Sequence, residues 1–288
     1  MSAFASRLLP ARPDLAASRL EGRVAAARFA EGAPRRVTAP LLDLTLVPDP
    51  AAGLATQLLH GEPFTVYEER PDGLAWGQSE TDGYVGYVAA AGLGPATAAE
   101  GRRVTALASH RYAASSLKAR TTASLPFHAL VAAGAEADGF VALADGGFVP
   151  APHLAAFRGD AAEAAAGFLG APYLWGGRSA AGLDCSALVQ LSLAAAGVAA
   201  PRDSDMQAAL LGEALPAEAP SQRGDLVFWR GHVGILADPG TLLHANAHHM
   251  AVAREPLAAA AARIEAAGGG PVTLRRRPPV SPPARAGS

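Results

Sequence analysis

The chain contains a single cysteine, Cys185, and eight histidines. A lone thiol is either a small buried hydrophobe or one half of a nucleophile–base pair. The stretch PYLWGGRSAAGLDCSALVQ, residues 172–190, favours the second reading. A glycine-rich loop delivers Cys185 to the first turn of an apolar helix, where unpaired backbone N–H groups and the helix dipole favour a thiolate. Asp184 and Ser186 flank it with polar groups, which argues against a purely apolar niche. The expectation is a nucleophile with a depressed pKa. A single cysteine also excludes an intrachain disulfide and a multi-thiolate zinc site, and the reading requires no metal and no organic cofactor.

A thiol nucleophile needs a base. His60, His110, His128 and His153 fall among short strand patterns, and His248 and His249 sit in a polar, histidine-rich turn, where solvated or satisfied imidazoles are the default. His232 opens a strand directly after GDLVFWRG, and His244 follows 12 residues later, one strand and one turn on. The two rings can therefore lie side by side on adjacent antiparallel strands. One would take the thiol proton while the other fixes its tautomer.

Beyond Pro150, the elements that hold these groups form an α+β set. Helical stretches are expected at Asp160–Leu169 and Cys185–Gly197, and strands at Leu226–Trp229, Val233–Ala237, Leu242–His244 and Ala251–Ala253. Upstream, Val37 to Leu93 breaks into short apolar runs punctuated by Pro and Gly, the texture of a small β-barrel. A second unit repeats the first. Pro63-Phe64 recurs as Pro126-Phe127, Gly86-Tyr87-Val88 as Gly147-Phe148-Val149, and an Asp-Gly turn stands in each at Asp72-Gly73 and Asp138-Gly139. Units this small are expected to pack on each other or on the α+β domain downstream. Residues 1–35 read as a helical or partly disordered leader and residues 275–288, RRRPPVSPPARAGS, as a disordered tail.

Composition narrows the partners. With 24 Lys+Arg against 26 Asp+Glu, the chain lacks the basic footprint of a nucleic-acid binder. No run approaches the roughly eighteen apolar residues of a membrane-spanning helix. Arg7, Pro10, Arg12 and Pro13 interrupt the N-terminal apolar stretches, so no export signal is read and a cytoplasmic protein is expected.

Taken in order, DCSALV, GDLVFW with GHVGIL, and LLHA resemble the NlpC-type family of papain-like cysteine peptidases, which cleave the γ-D-glutamyl to diamino-acid bond of bacterial cell-wall peptides. The resemblance covers about residues 160–255. It implies a papain-like catalytic domain over residues 158–274, with Cys185 as nucleophile, His232 as general base and His244 as the residue that orients it. It further implies that Tyr173 helps form the cleft and that Asp184 and Ser186 bind the peptide end of a murein-derived substrate. Pro201-Arg202-Asp203-Ser204 with Gln207 is similar to the family's proline–arginine stretch, so that Arg202 either contacts substrate or braces the loop. Ala187 stands where the family has glycine, and the histidine cluster at 246–250 replaces a glycine-containing rim.

The two β units, over 36–96 and 100–152, are similar to bacterial SH3-like domains. SH3-like units ahead of such a peptidase resemble the dipeptidyl-peptidase branch, which acts on released wall peptides with a free N-terminal L-alanine. A barrel over one end of the cleft would admit only short peptides, and Glu68, Glu69 or Glu80 would then pair with the substrate amine. Two other readings stay open at this point: a general wall endopeptidase, amidase or acyltransferase with the same Cys–His site, and a non-catalytic wall-peptide-binding module.

Overall fold

The structure is a computed structural model and describes residues 4–49, 51–96, 101–157 and 159–279. The chain divides into two compact units, Met1–Ala155 and Ala156–Ser288.

The first unit holds two antiparallel sheets. In the first, the strands run Thr56–Leu59, Leu41–Thr45, Val85–Ala89, Leu74–Ser79, Pro63–Glu69, Ala33–Val37 and Leu93–Pro95 across the sheet. They enclose Val37, Leu42, Leu44, Leu58, Phe64, Val66 and Val88. The second sheet orders Gly101–Arg103, Leu130–Ala137, Phe140–Leu143, Phe148–Pro150, Ala108–Tyr112 and Thr121–Pro126, around Val104, Leu125, Val131, Val141, Leu143 and Val149. The sheets meet where the Leu130 N–H donates to the His60 carbonyl at 2.8 Å.

The internal repeat is half structural. Asp72-Gly73 and Asp138-Gly139 each turn a hairpin, and Asp138 and Gly139 both have positive φ (53° and 75°), as a two-residue type I′ turn demands. Gly86-Tyr87-Val88 and Gly147-Phe148-Val149 each lead through a strand into a short 3-10 turn, Ala90–Gly92 and Ala151–Leu154. Pro63-Phe64 and Pro126-Phe127 are not equivalent: the first pair opens a strand, whereas Pro126 ends one.

The leader is not the expected helix. Among its described residues only Ala5–Leu8 is α-helical, because Pro10, Pro13 and the positive-φ Gly22 interrupt any longer run. Instead, Leu15, Ala17 and Leu20 are buried against Tyr67, Trp76, Val85 and Tyr87. The Arg12 guanidinium lies 4.4 Å over the Trp76 ring and donates to Glu68 at 2.7 Å. Glu68 is also paired with Arg28, Glu69 with Arg35 at 3.1 Å, and Glu80 accepts from the Thr65 hydroxyl. Glu68 is thereby neutralised by two guanidinium groups. The tail is corrected in part too: Leu274–Arg277 is a strand paired with Leu226–Trp229, held there by Arg277 on the carboxylate of Asp225, and residues 280–288 lie outside the described residues.

In the second unit the sheet runs Glu213–Ala214, Leu274–Arg277, Leu226–Trp229, His232–Asp238, Thr241–Asn246 and Ala251–Pro256. The helix Cys185–Ala195 packs on the strand His232–Asp238 and is buried nearly all round, which accounts for its leucines, valine and alanines on every face. It ends at Ala196, with Gly197 at φ 77° providing the left-handed residue that closes it. No helix among the described residues is long and apolar enough to cross a membrane.

Leu15→Ala should destabilise the first unit by about 2–5 kcal/mol, the cost of a vacated core site, measured by urea unfolding. A loss below about 1 kcal/mol would mean that the leader is a surface appendage.

Candidate active site

Asp184 caps the helix that carries Cys185. Its Oδ1 accepts from the Ala187 N–H at 2.8 Å, and its Oδ2 accepts from the Gly176 N–H at 2.9 Å, which ties the glycine loop to the helix start. Arg202 completes the arrangement, donating to Oδ1 at 2.9 Å and to Oδ2 at 2.7 Å, and to the Ser186 Oγ at 2.9 Å. The Ser186 hydroxyl in turn donates to Asp184 at 3.0 Å. Gln207 braces the same turn from below, donating to the carbonyls of Ser186 and Pro201.

This geometry corrects one expectation and narrows two others. The Arg202 side chain has no exposed area, so it braces the loop and meets no substrate in this arrangement. Asp184 and Ser186 are also buried, and the polar atoms by which they would bind a peptide end are engaged by Arg202, by each other and by backbone N–H groups. Burial pushes the Asp184 carboxyl up, but Arg202 and the N–H donors outweigh it and keep it ionised. Ala187 fits without strain in the buried helix start, its N–H serving the cap.

His232 is the first residue of its strand, brought round by the turn at Gly231 (φ 73°). Its Nε2 lies 2.8 Å from Nδ1 of the fully buried His244 on the adjacent antiparallel strand. The helix that begins with Cys185 packs on the same strand, where the Val233 N–H favours a thiolate. Tyr173, half-buried, sits on the loop opposite; burial and the nearby Cys185 and Asp184 push its hydroxyl up to about 12, so it stays protonated. The histidine-rich rim is pinned to this loop, with the Tyr173 N–H donating to the Met250 carbonyl at 2.9 Å.

A further residue, absent from the sequence reading, stands behind the histidines. Glu255 Oε1 lies 2.7 Å from Nε2 of His244, and Arg263 donates to that same oxygen. Glu255 lies on the strand Ala251–Pro256, two residues beyond Ala253, the partner of His244 in register. Alternation along that strand is the signal that finds it. The donor atoms of His244, His249 and Glu255 lie within 4.8 Å of one another, a spacing a metal ion would accept, but the first and last are already engaged with each other and with Arg263.

The expected depressed thiol pKa is overturned. Burial, and next the charge of Asp184, push the Cys185 thiol up to about 12, against the smaller help of the Val233 and Ser186 N–H groups and Arg202. Burial, and next His244 and Arg263, push His232 down to about 3. Both the Cys185 thiol and the His232 imidazole are thus held in their neutral forms.

Residues 170–262 match the NlpC/P60 family, and residues 47–93 match the bacterial dipeptidyl-peptidase SH3 domain. The chain carries an NlpC/P60 domain, a papain-like cysteine-peptidase fold. An NlpC/P60 protein from Bacillus cereus shares the fold over 85% of this chain and 99% of its own, with a TM-score of 0.71 at 19% identity. The chain is similar to dipeptidyl-peptidase 6 of Lysinibacillus sphaericus, 34% identical over 32% of this chain and 33% of that protein. It is also similar to the γ-D-glutamyl-L-lysine dipeptidyl-peptidase of Bacillus subtilis, 39% identical over 30% of this chain and 31% of that one. The match thus spans about a third of these relatives' length.

Two outcomes are expected. Arg202→Met, which strands the buried Asp184 carboxylate, should cost about 3–5 kcal/mol of stability in chemical denaturation, and Arg202→Lys should restore little of it, because an ammonium cannot make the two-pronged contact. His232, ordinarily at 6.5 and held near 3 in the folded protein, resists protonation there. Its contribution to stability is therefore complete above pH 6.5 and is lost as pH falls toward 3. Urea midpoints measured between pH 7 and pH 4 should fall less steeply in His232→Gln than in the wild type; equal slopes would contradict this.

Proposed function

We propose that the protein hydrolyses the amide between a γ-D-glutamyl residue and the diamino acid in cell-wall-derived peptides, acting on short fragments with a free N-terminal L-alanine. The observation that carries the proposal is the convergence of Cys185, at the start of a buried helix, on the strand that begins with His232, itself hydrogen-bonded to His244. In this reading Cys185 is the nucleophile, His232 the base and His244 the residue that orients it. His232 removes the thiol proton as sulfur attacks the γ-carbonyl carbon. The tetrahedral intermediate collapses, the C–N bond breaks, and His232 returns the proton to the departing amine. Water, deprotonated by the same imidazole, then cleaves the thioester.

Because the thiol is neutral at rest, proton transfer and attack are coupled, and a substrate that displaces water from the cleft favours the step. In this reading Tyr173, whose hydroxyl stays neutral near Cys185, donates a hydrogen bond to the substrate. The choice of bond and of short substrates is supported by the names of the similar dipeptidyl-peptidases and by the SH3-domain match. A similar domain in a bifunctional muramidase/DL-endopeptidase of Bacillus subtilis favours a second reading, a general wall endopeptidase. A cytoplasmic location belongs to the first proposal, and cell fractionation tests it.

Incubation with L-Ala-γ-D-Glu-diaminopimelate should release L-Ala-γ-D-Glu, identified by mass, and Cys185→Ala and His232→Ala should release none. Acetylating the L-alanine amine should lower kcat/KM by about a hundredfold, the loss of one charge-assisted contact. Equal rates on both peptides, with ready digestion of intact cell wall, would leave the general endopeptidase as the correct reading.

A further inference from the structure

The proton order of the site can be deduced from its last member. Glu255 is ionised: burial raises its carboxyl, but His244 and Arg263 lower it further. A carboxylate only accepts hydrogen bonds, so the 2.7 Å contact between its Oε1 and Nε2 of His244 needs the proton on that nitrogen. A neutral His244 then presents a bare Nδ1, and the 2.8 Å contact with Nε2 of His232 needs the proton on His232 Nε2. A neutral His232 is left with its lone pair on Nδ1. The geometry points to Glu255 as the positioning residue that, through His244, fixes both imidazoles as Nε2–H tautomers and leaves Nδ1 of His232 as the basic atom.

Arg263, on the helix Leu257–Ala266, holds the carboxylate in place by donating to the same oxygen that faces His244. The charged and titratable groups facing His244 are His232 on the neighbouring strand, Glu255 on the other, His249 on the turn and Arg263 on the helix. Those acting on His232 are His244, Arg263 and Glu255. When the thiol proton moves to Nδ1 of His232, the positive charge that forms is stabilised by Glu255 and opposed by Arg263. The two side chains therefore act on the base with opposite sign. The inference rests on the catalytic reading of Cys185 and His232 for its consequence, but not for the tautomers themselves.

The test is nitrogen-15 NMR of the full chain labelled at histidine, without substrate, with His232 and His244 assigned by His→Gln variants. Both rings should show the Nε2–H tautomer in the wild type and in Glu255→Gln, whose amide oxygen still accepts. Glu255→Leu, with no acceptor, should yield a mixed population at His244. In activity, Glu255→Gln should lower kcat about tenfold with KM little changed, and move the acid limb of kcat/KM to lower pH, while Arg263→Gln moves it to higher pH. An Nδ1–H tautomer at His244 in the wild type overturns the proposal, as do acid limbs that move together or not at all. The wild-type spectrum suffices if Glu255→Leu does not fold. Correct tautomers in a protein that leaves the wall peptide intact would contradict the proposed function alone.

Discussion

The carboxylate of Asp184 holds three segments in register at once: the glycine loop through the Gly176 N–H, the helix that carries Cys185 through the Ala187 N–H, and the segment after that helix through Arg202. Each contact is charge-assisted and buried, so each resists displacement by water. A buried ion pair adds little net stability over an apolar filling, yet breaking it costs several kcal/mol. Its role here is geometric: it fixes where Cys185 emerges, and an error of about 1 Å in that position is enough to cost a hundredfold in rate.

Burial also sets the resting chemistry of the site. A helix N-terminus favours a nearby anion by about 0.3–1 kcal/mol at exposed positions, whereas withdrawing an ion from water costs several. The second effect wins at Cys185, where the Asp184 charge adds to it. The His232 imidazole is subject to the same constraint and stays neutral. A site so built keeps its thiol protonated until a substrate arrives, and the hydrogen-bonded chain His232, His244, Glu255 and Arg263 supplies the polarity that a solvated site would take from water.

Much of this is legible in the sequence. The strand Leu226–Trp229, the turn at Gly231, the placement of His232 and His244 on adjacent strands, and the loop-to-helix delivery of Cys185 follow from local pattern and turn chemistry, and the structure has them. Local pattern does not supply the consequences of tertiary burial. For Arg202 the sequence leaves open whether it contacts substrate or braces the loop, and its full burial against Asp184 selects the second; the shift of the thiol pKa has the opposite direction to the expected one for the same reason. The leader reads as helical or partly disordered, whereas Leu15 and Leu20 are buried among the aromatic side chains of the first sheet and Arg12 lies over Trp76. Glu255 belongs to no motif, because its role depends on register across two strands.

The central claim is that Cys185 forms the acyl bond to the γ-glutamyl carbonyl. It is tested most directly by acid-quenching the enzyme within its first turnovers on L-Ala-γ-D-Glu-diaminopimelate and mapping the covalent adduct by peptide mass spectrometry. The account predicts the mass of an L-Ala-γ-D-Glu acyl group on the peptide that contains Cys185, absent in Cys185→Ser and more abundant when hydrolysis is slowed at low temperature. Product formation with no adduct at Cys185, or with the adduct on another residue, would contradict it.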